Sequence, residues 1–329
     1  MASVRDGRPT LLVLRALGLG DFLASVPALR ALAGAFPDHH RILAAPRALA
    51  PLATLTGAVD EVVDTGPLAP LDGALGGADV AVNLHGKGPQ SHRVLLAASP
   101  QHLIFFANPG VPESADGPAW REGEHEVARW CRLLESYGIS ADPRRLDLHL
   151  PPEALAAAPD IARGATLIHP GAARAARRWP AERFAAVARS EWRNGRPVVI
   201  TGSPGEVDLA RAVERAAGLD PSVVHAGRTD LAELATLVAV AGRVVCGDTG
   251  VAHLATALRT PSVVLFGPTP PTEWGPPAER PRHRSLWAGE RGDPSATRPD
   301  RGLLAIPVTE VLEALAELPE PAPALGREP

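Results

Sequence analysis

Two cysteines in 329 residues leave no basis for a disulfide framework. Cys131 and Cys246 fall on predicted helix and strand segments, with no CxxC and no Cys/His cluster, so a reducing, cytoplasmic setting is expected. Positive charge is not in surplus either. Against 33 Lys and Arg stand 37 Asp and Glu, a formal net charge of -4, which offers no basic face to nucleic acid and limits any membrane contact to a peripheral one. Long apolar runs are missing. The first, Leu11 to Leu14, stops at Arg15, and Asp21 and Arg30 interrupt the next stretch, which argues against a signal-peptide core or a membrane span. HExxH, GxSxG, P-loop and paired-acid metal motifs are absent as well, so catalysis with no bound metal and no cofactor is the simpler expectation. Lysine is reduced to Lys87 among the 33 basic residues, the mark of a GC-rich genome, so arginine in place of lysine says little about chemistry.

What is present is length and alternation. A chain of this size, 45% hydrophobic, can bury more than one core, and two domains are expected. Thr10 to Leu14, Arg41 to Ala44, Glu61 to Val63, Val80 to Leu84 and Leu103 to Phe106 read as buried strands separated by helical patterns, hence a parallel sheet. Phe22, Val26, Leu29 and Ala33 fall on one face of a helix over Asp21 to Ala35, and another helix is predicted from His125 to Tyr137. The Pro- and Ala-rich stretch from Pro143 to Gly164 carries the expected linker, placed at 151–164 between an N-terminal domain, 1–150, and a C-terminal one, 165–318.

In the second half, Ala165 to His169, Val198 to Thr201, Val223 to Ala226, Val244 to Gly247 and Ser262 to Phe266 are strand candidates, again alternating with helices. Gly267 to Arg301 reads as a long surface loop, Thr309 to Leu318 as a closing helix and 319–329 as a frayed tail. The fold class expected is α/β, with two Rossmann-like, doubly wound parallel sheets.

Ligands of such sheets sit beyond the carboxyl ends of the strands, so the residues just after each strand carry the functional signal. After the first strand comes Arg15-Ala-Leu-Gly-Leu-Gly20-Asp21, where two glycines allow a tight turn. Leu23 stands where a dinucleotide fingerprint needs its third glycine, and Asp21 puts negative charge where a pyrophosphate would lie, so the loop suits a neutral hydroxyl better than a phosphate. Asp21 reads equally well as a helix cap.

The loop from His169 through Arg177, Arg178, Trp179 and Pro180 brings three arginines to a helix start, which suits a diphosphate; a solvated basic loop is the plainer reading. Gly247-Asp248-Thr249-Gly250-Val-Ala-His253 ends a strand and starts a helix whose free N–H groups, Thr249 hydroxyl and His253 can meet one anion, or merely cap it. In Thr201-Gly-Ser-Pro-Gly-Glu206 a carboxylate arrives at a helix start, placed to grip ribose hydroxyls or to favour the helix dipole by about 0.3–1 kcal/mol.

Taken in order, LRALGLGDFLASVPALRAL, HPGAARAARRWPAERFAAVA and VVCGDTGVAHLATALRTPSVVLFGPTPP resemble glycosyltransferase family 9, the family of the ADP-heptose:lipopolysaccharide heptosyltransferases. The resemblance runs from about Leu11 to Leu318. It implies a GT-B fold whose two domains face a cleft, inversion at the anomeric carbon and no required metal. By that resemblance Asp21 is the catalytic base, Arg177 contacts the donor diphosphate, and Asp248, Thr249, Gly250 and His253 hold donor phosphates and sugar. Glu206 falls where a ribose-binding acid is found, and Thr229 aligns with the region lining the base. The resemblance also implies that the His85-Gly-Lys87 loop faces the acceptor side, where Lys87 contacts an anionic acceptor or sugar or, as the plainer reading, is a solvated loop lysine.

Two departures stand out: residues 286–304 lack the cysteines many relatives carry, and Asn83 replaces an acid. The implied partners are a nucleotide-sugar donor, ADP-linked and heptose-like, and a glycan, lipid-linked glycan or small-molecule acceptor. Epimerases and phosphorylases built on the same fold, and a nucleotide-sugar-binding module without turnover, are the competing readings.

Overall fold

Strands that are buried at every position belong in the middle of a sheet covered on both faces, and the apolar runs here have that pattern. The computed structural model describes residues 7–319 and divides the chain into two units, Met1–Leu146 and Asp147–Pro329. Most of the expected tail, residues 320–329, lies outside the described residues.

The first unit runs β1 (Thr10–Leu14), α1 (Leu19–Ala35), β2 (His40–Ala45), α2 (Ala50–Leu55), β3 (Glu61–Asp64), β4 (Val80–Asn83), α3 (Gln90–Leu96), β5 (His102–Ile104) and α4 (Glu126–Glu135). Its sheet is parallel throughout, in the order β3-β2-β1-β4-β5, with Leu14 beside Ala44 on one side and Asn83 on the other. Strand order therefore reverses at β1, and the crevice where ligands collect in such sheets opens beyond Leu14, between the loops after β1 and β4. Helix α1 begins at Leu19, two residues earlier than the spacing predicts. It is also buried over more of its circumference than a one-faced helix, because α4 packs against it as well as the sheet side.

The second unit contains α5 (Pro152–Ala156), β6 (Thr166–His169), α6 (Ala181–Arg193), β7 (Val198–Ile200), α7 (Val207–Ala217), α8 (Leu231–Val240), β8 (Arg243–Gly247) and α9 (Gly250–Ala257). After these come β9 (Ser262–Phe266), α10 (Pro271–Trp274), β10 (His283–Trp287), α11 (Arg301–Ala305) and α12 (Val308–Ala316). The order β10-β9-β8-β6-β7 is again all parallel and reverses between β6 and β8, so the loops after Leu167–His169 and Cys246–Gly247 flank the crevice. Ile168, Val245, Val263, Trp179, Phe184 and Val213 anchor its core, separate from a first-unit cluster built on Leu12, Leu14, Ile42, Leu95 and Phe105.

Three segments differ from expectation. Val223 to Ala226 is not a strand: Pro221 lacks an N–H, Asp220 draws Ser222 N into a 3-10 turn over Pro221–Val223, and a single bridge joins Val224 to Ile200. The expected surface loop from Gly267 to Arg301 contains α10 and β10. The latter is an edge strand paired along its whole length with β9, with His283 turned inward to Ser262 Oγ at 2.9 Å. The stretch 151–164 holds α5, packed near α8, and a 3-10 turn at Asp160–Ala162.

Candidate active site

In the first unit the chain leaves β1 through Arg15, a guanidinium with no exposed surface. A buried cation is tolerable only if its donors are matched. Here Nε donates to the Asp21 carbonyl at 2.9 Å, Nη1 donates to the Leu84 carbonyl, and Nη2 donates to Glu126 Oε1 at 2.9 Å while lying 3.6 Å from the Asp21 carboxylate. Glu126, at the first position of α4, also accepts from Trp130 Nε1 at 2.9 Å and from Arg129, and the Arg15 guanidinium packs over the Trp130 ring.

Asp21 is at the third residue of α1, with Gly18 as the N-cap residue. Its carboxylate accepts from the Gly18 N–H and from its own, one half of a capping box in which glycine has no side chain to return the bond. Burial raises the Asp21 carboxyl above the ordinary carboxylate value; Arg15 opposes that rise and Glu126 reinforces it. Desolvation thus outweighs the favourable helix end. Gly20 occupies the first turn of α1, beside Asp21.

His85 follows β4. Its Nδ1 is buried with no hydrogen-bond partner, and burial, with Arg15 nearby, lowers the imidazole to about 4, so it is neutral at physiological pH. Asn83 shapes this loop: its Oδ1 accepts from His85 N, and its Nδ2 donates toward Gly86 O and Ser91 Oγ and faces His92 Nδ1 at 2.8 Å. An acid at 83 would have no proton to give Gly86. Lys87 pairs with Glu122 at 2.9 Å on the surface, where such a pair contributes little.

In the second unit three loops meet beyond the ends of β6, β7 and β8. His169 is buried, its Nδ1 is 3.0 Å from Thr201 Oγ1, and burial lowers its imidazole so that it stays neutral. A Cβ on Gly171 would run into the Glu206 carboxylate, so a larger residue there would push that side chain aside and part the β6 loop from Glu206. Burial works against ionisation of Glu206, but hydrogen bonds from Ser203 N and Oγ, both at 2.8 Å, with the Arg178 guanidinium nearby, hold it below the usual value. Arg178 Nε donates to Ala172 O at 2.9 Å.

Arg177 ends a 3-10 turn and reaches Asp248 at 3.3 Å, while its backbone carbonyl lies where a Cβ on Gly247 would be, at 2.8 Å. Thr249 is the N-cap residue of α9, in extended conformation, and its buried hydroxyl has no nitrogen or oxygen partner. Gly250 opens the helix, and His253, one turn on, meets Trp274 edge to face at 5.7 Å. Thr229 sits half-buried just before α8, in a turn tied by Gly227 N to Gly202 O at 2.9 Å. Sequence reasoning had joined neither Glu126 and Trp130 to Asp21 nor Trp274 to His253. Among the described residues no group of three or more His, Cys, Asp or Glu side chains can hold a metal ion, and no helix is long and apolar enough to cross a membrane.

The model of glycosyltransferase family 9 (heptosyltransferase) matches residues 117–301. The chain belongs to glycosyltransferase family 9. Over 168 residues it is 33% identical to lipopolysaccharide heptosyltransferase 3 of Escherichia coli K12, covering 49% of this chain and 48% of that one. It spans about half the length of the curated relatives it matches. Among solved structures, ADP-heptose lps heptosyltransferase II of E. coli superposes with a TM-score of 0.74 at 22% identity, over 93% of this chain and 97% of that one. A family 9 glycosyl transferase from Veillonella parvula gives 0.78 at 21%, over 94% and 96%. These likenesses place both sheets in the GT-B fold of the family.

Proposed function

We propose that this family 9 chain is a cytoplasmic, inverting, metal-independent glycosyltransferase. It moves a heptose-like sugar from an ADP-linked donor to a hydroxyl of a glycan, a lipid-linked glycan or a small molecule. The observation that carries this reading is the meeting of three sequence-distant loops in the second unit, 169–178, 201–206 and 247–250, joined by Arg177 with Asp248 and by Gly171 with Glu206. The ADP-heptose named for the E. coli structural relative supports the choice of donor.

On this reading the donor diphosphate lies against the N-terminus of α9, where free N–H groups and the helix dipole favour an anion. Arg177 and Arg178 add charge, Thr249 adds a hydroxyl donor, and Glu206 takes ribose hydroxyls. His169, Thr229 and His253 complete the donor surround, and His85 with Lys87 serves the acceptor. The acceptor oxygen forms its bond to the anomeric carbon as the bond from that carbon to the diphosphate oxygen breaks, and Asp21 takes the hydroxyl proton. The diphosphate leaves with its charge already balanced, which is how such sites lower the barrier.

The test is turnover of ADP-heptose against a panel of glycan and lipid-linked glycan acceptors, with the anomeric configuration of the product read by NMR. Asp21→Asn is expected to lower transfer by about 10²–10⁴-fold while ADP binding stays near wild type. Retained transfer in that variant, or a product of retained configuration, would remove Asp21 from the role of base.

A further inference from the structure

Asp21 does not stand alone. Its backbone and its carboxylate share one guanidinium, and that guanidinium is itself gripped from a helix more than a hundred residues away, by Glu126, which is 111 residues from Arg15. Glu126 has no second ligand-facing duty to explain its burial. Both its oxygens are spent on Arg15, Trp130 and Arg129, and it is 5% exposed. Removing a carboxylate and a guanidinium from water costs several kcal/mol per ion, so a fold that needed only packing would fill this space with apolar side chains at no loss.

We propose that Arg15 and Glu126 are positioning residues for Asp21: Glu126 anchors the buried guanidinium, and the guanidinium fixes the main chain and the carboxylate of Asp21. The inference rests on Asp21 being the base only for its consequence in turnover, since the three-residue arrangement stands apart from that role. Charge sharing is the physical core of it. Arg15 attracts the Asp21 carboxylate while Glu126, held on the same guanidinium, repels it, so the two effects partly cancel. His85, behind Arg15 on the β4 loop, is neutral and adds no charge. A proton acceptor that is neither trapped by a full ion pair nor left floppy at a loop end is the result.

The experiment follows the Asp21 carboxyl through a pH titration by NMR in the full chain labelled with ¹³C-carboxyl aspartate, with Asp21→Asn assigning the signal. In Glu126→Gln the repulsion of the second carboxylate is lost while Arg15 remains, and the Asp21 midpoint is expected to fall by about one unit, a tenfold change in proton affinity. Glu126→Asp keeps the charge and should restore the wild-type midpoint. In Arg15→Gln the attraction is lost and the midpoint should rise, so the two neutralising variants move in opposite directions. Should Glu126→Gln fail to fold, Arg15→Gln carries the test by itself, and the Arg15→Gln/Glu126→Gln double variant, which removes the pair together and leaves Arg129 on the Arg121 and Glu124 carbonyls, provides a second sample.

An Asp21 midpoint unchanged in the neutralising variants would overturn the proposal. Turnover of ADP-heptose separates this from the assignment of the base. With Asp21 as base, Glu126→Gln lowers kcat at constant donor KM and carries the acidic limb of the pH profile downward with the NMR midpoint. If the midpoint moves while Asp21→Asn keeps full turnover, the base assignment fails and the positioning role stands.

Discussion

A guanidinium paired to a buried carboxylate keeps part of its charge for a ligand only if the pairing is loose, and Arg177 meets that condition. It stands 3.3 Å from Asp248 and stays partly exposed, whereas Arg178 is tied to a backbone carbonyl. Arg177→Ala is therefore expected to weaken ADP binding by about 1.5–3 kcal/mol, the range for a lost charge-assisted contact, roughly ten- to a hundredfold in a calorimetric titration. Unchanged affinity would remove the residue from the donor site. At this scale the positions at the strand ends were legible. Asp21, Arg177, Glu206 and Asp248 were singled out because each follows a strand, where ligands of parallel sheets collect, although each also had a structural reading as a cap, a solvated loop charge or a helix-dipole partner. What was not legible is partnership. Glu126 lies on a helix that reads from spacing as ordinary amphipathic packing, and no local pattern links it to an arginine at the end of β1. Trp274 likewise looks like one more residue of a proline-rich loop until His253 is found against it.

Among the elements, the β8–α9 junction depends on one absent side chain. A methyl group on Gly247 would meet the Arg177 carbonyl, a backbone atom that cannot rotate aside, so the 3-10 turn at Ala175–Arg177 would have to move. Gly247→Ala is expected to cost about 1–3 kcal/mol, the usual penalty of overpacking, seen as a lower midpoint of thermal unfolding, and to weaken ADP binding along with it. Gly205→Ala is the matched control, because nothing lies within 4 Å of the point its methyl group would occupy and its stability should hold. If both variants unfold alike, the close approach at Gly247 is not what fixes the loop. Elements buried on both faces, such as β1, β8 and β9, were readable because a continuous apolar run has few other uses. β10 was not: with Arg284 and Ser285 exposed on a sheet edge, its sequence shows neither alternation nor an apolar run. The error at Val223 to Ala226 is the converse, an apolar run ending a 3-10 turn that Pro221 had already committed.

For the molecule as a whole, two parallel sheets, each reversing its strand order, provide two crevices, and Arg177, Arg178 and the start of α9, proposed above to hold the diphosphate, border the second. A ligand that binds the folded chain alone raises its stability by an amount set by concentration over Kd, about 2.7 kcal/mol at a hundredfold excess. A thermal-shift panel of nucleoside diphosphates should accordingly show ADP raising the unfolding midpoint and UDP leaving it in place. Stabilisation by UDP alone would reassign the base of the donor. The surface carries one more consequence. Lys87 is the only lysine in the sequence, and its ammonium, 59% exposed, stands on the loop beside His85, held only by a surface pairing with Glu122. An acylating reagent aimed at side-chain amines thus has one address on this protein, and peptide mass mapping of its adduct would report, from a single footprint, whatever covers that loop.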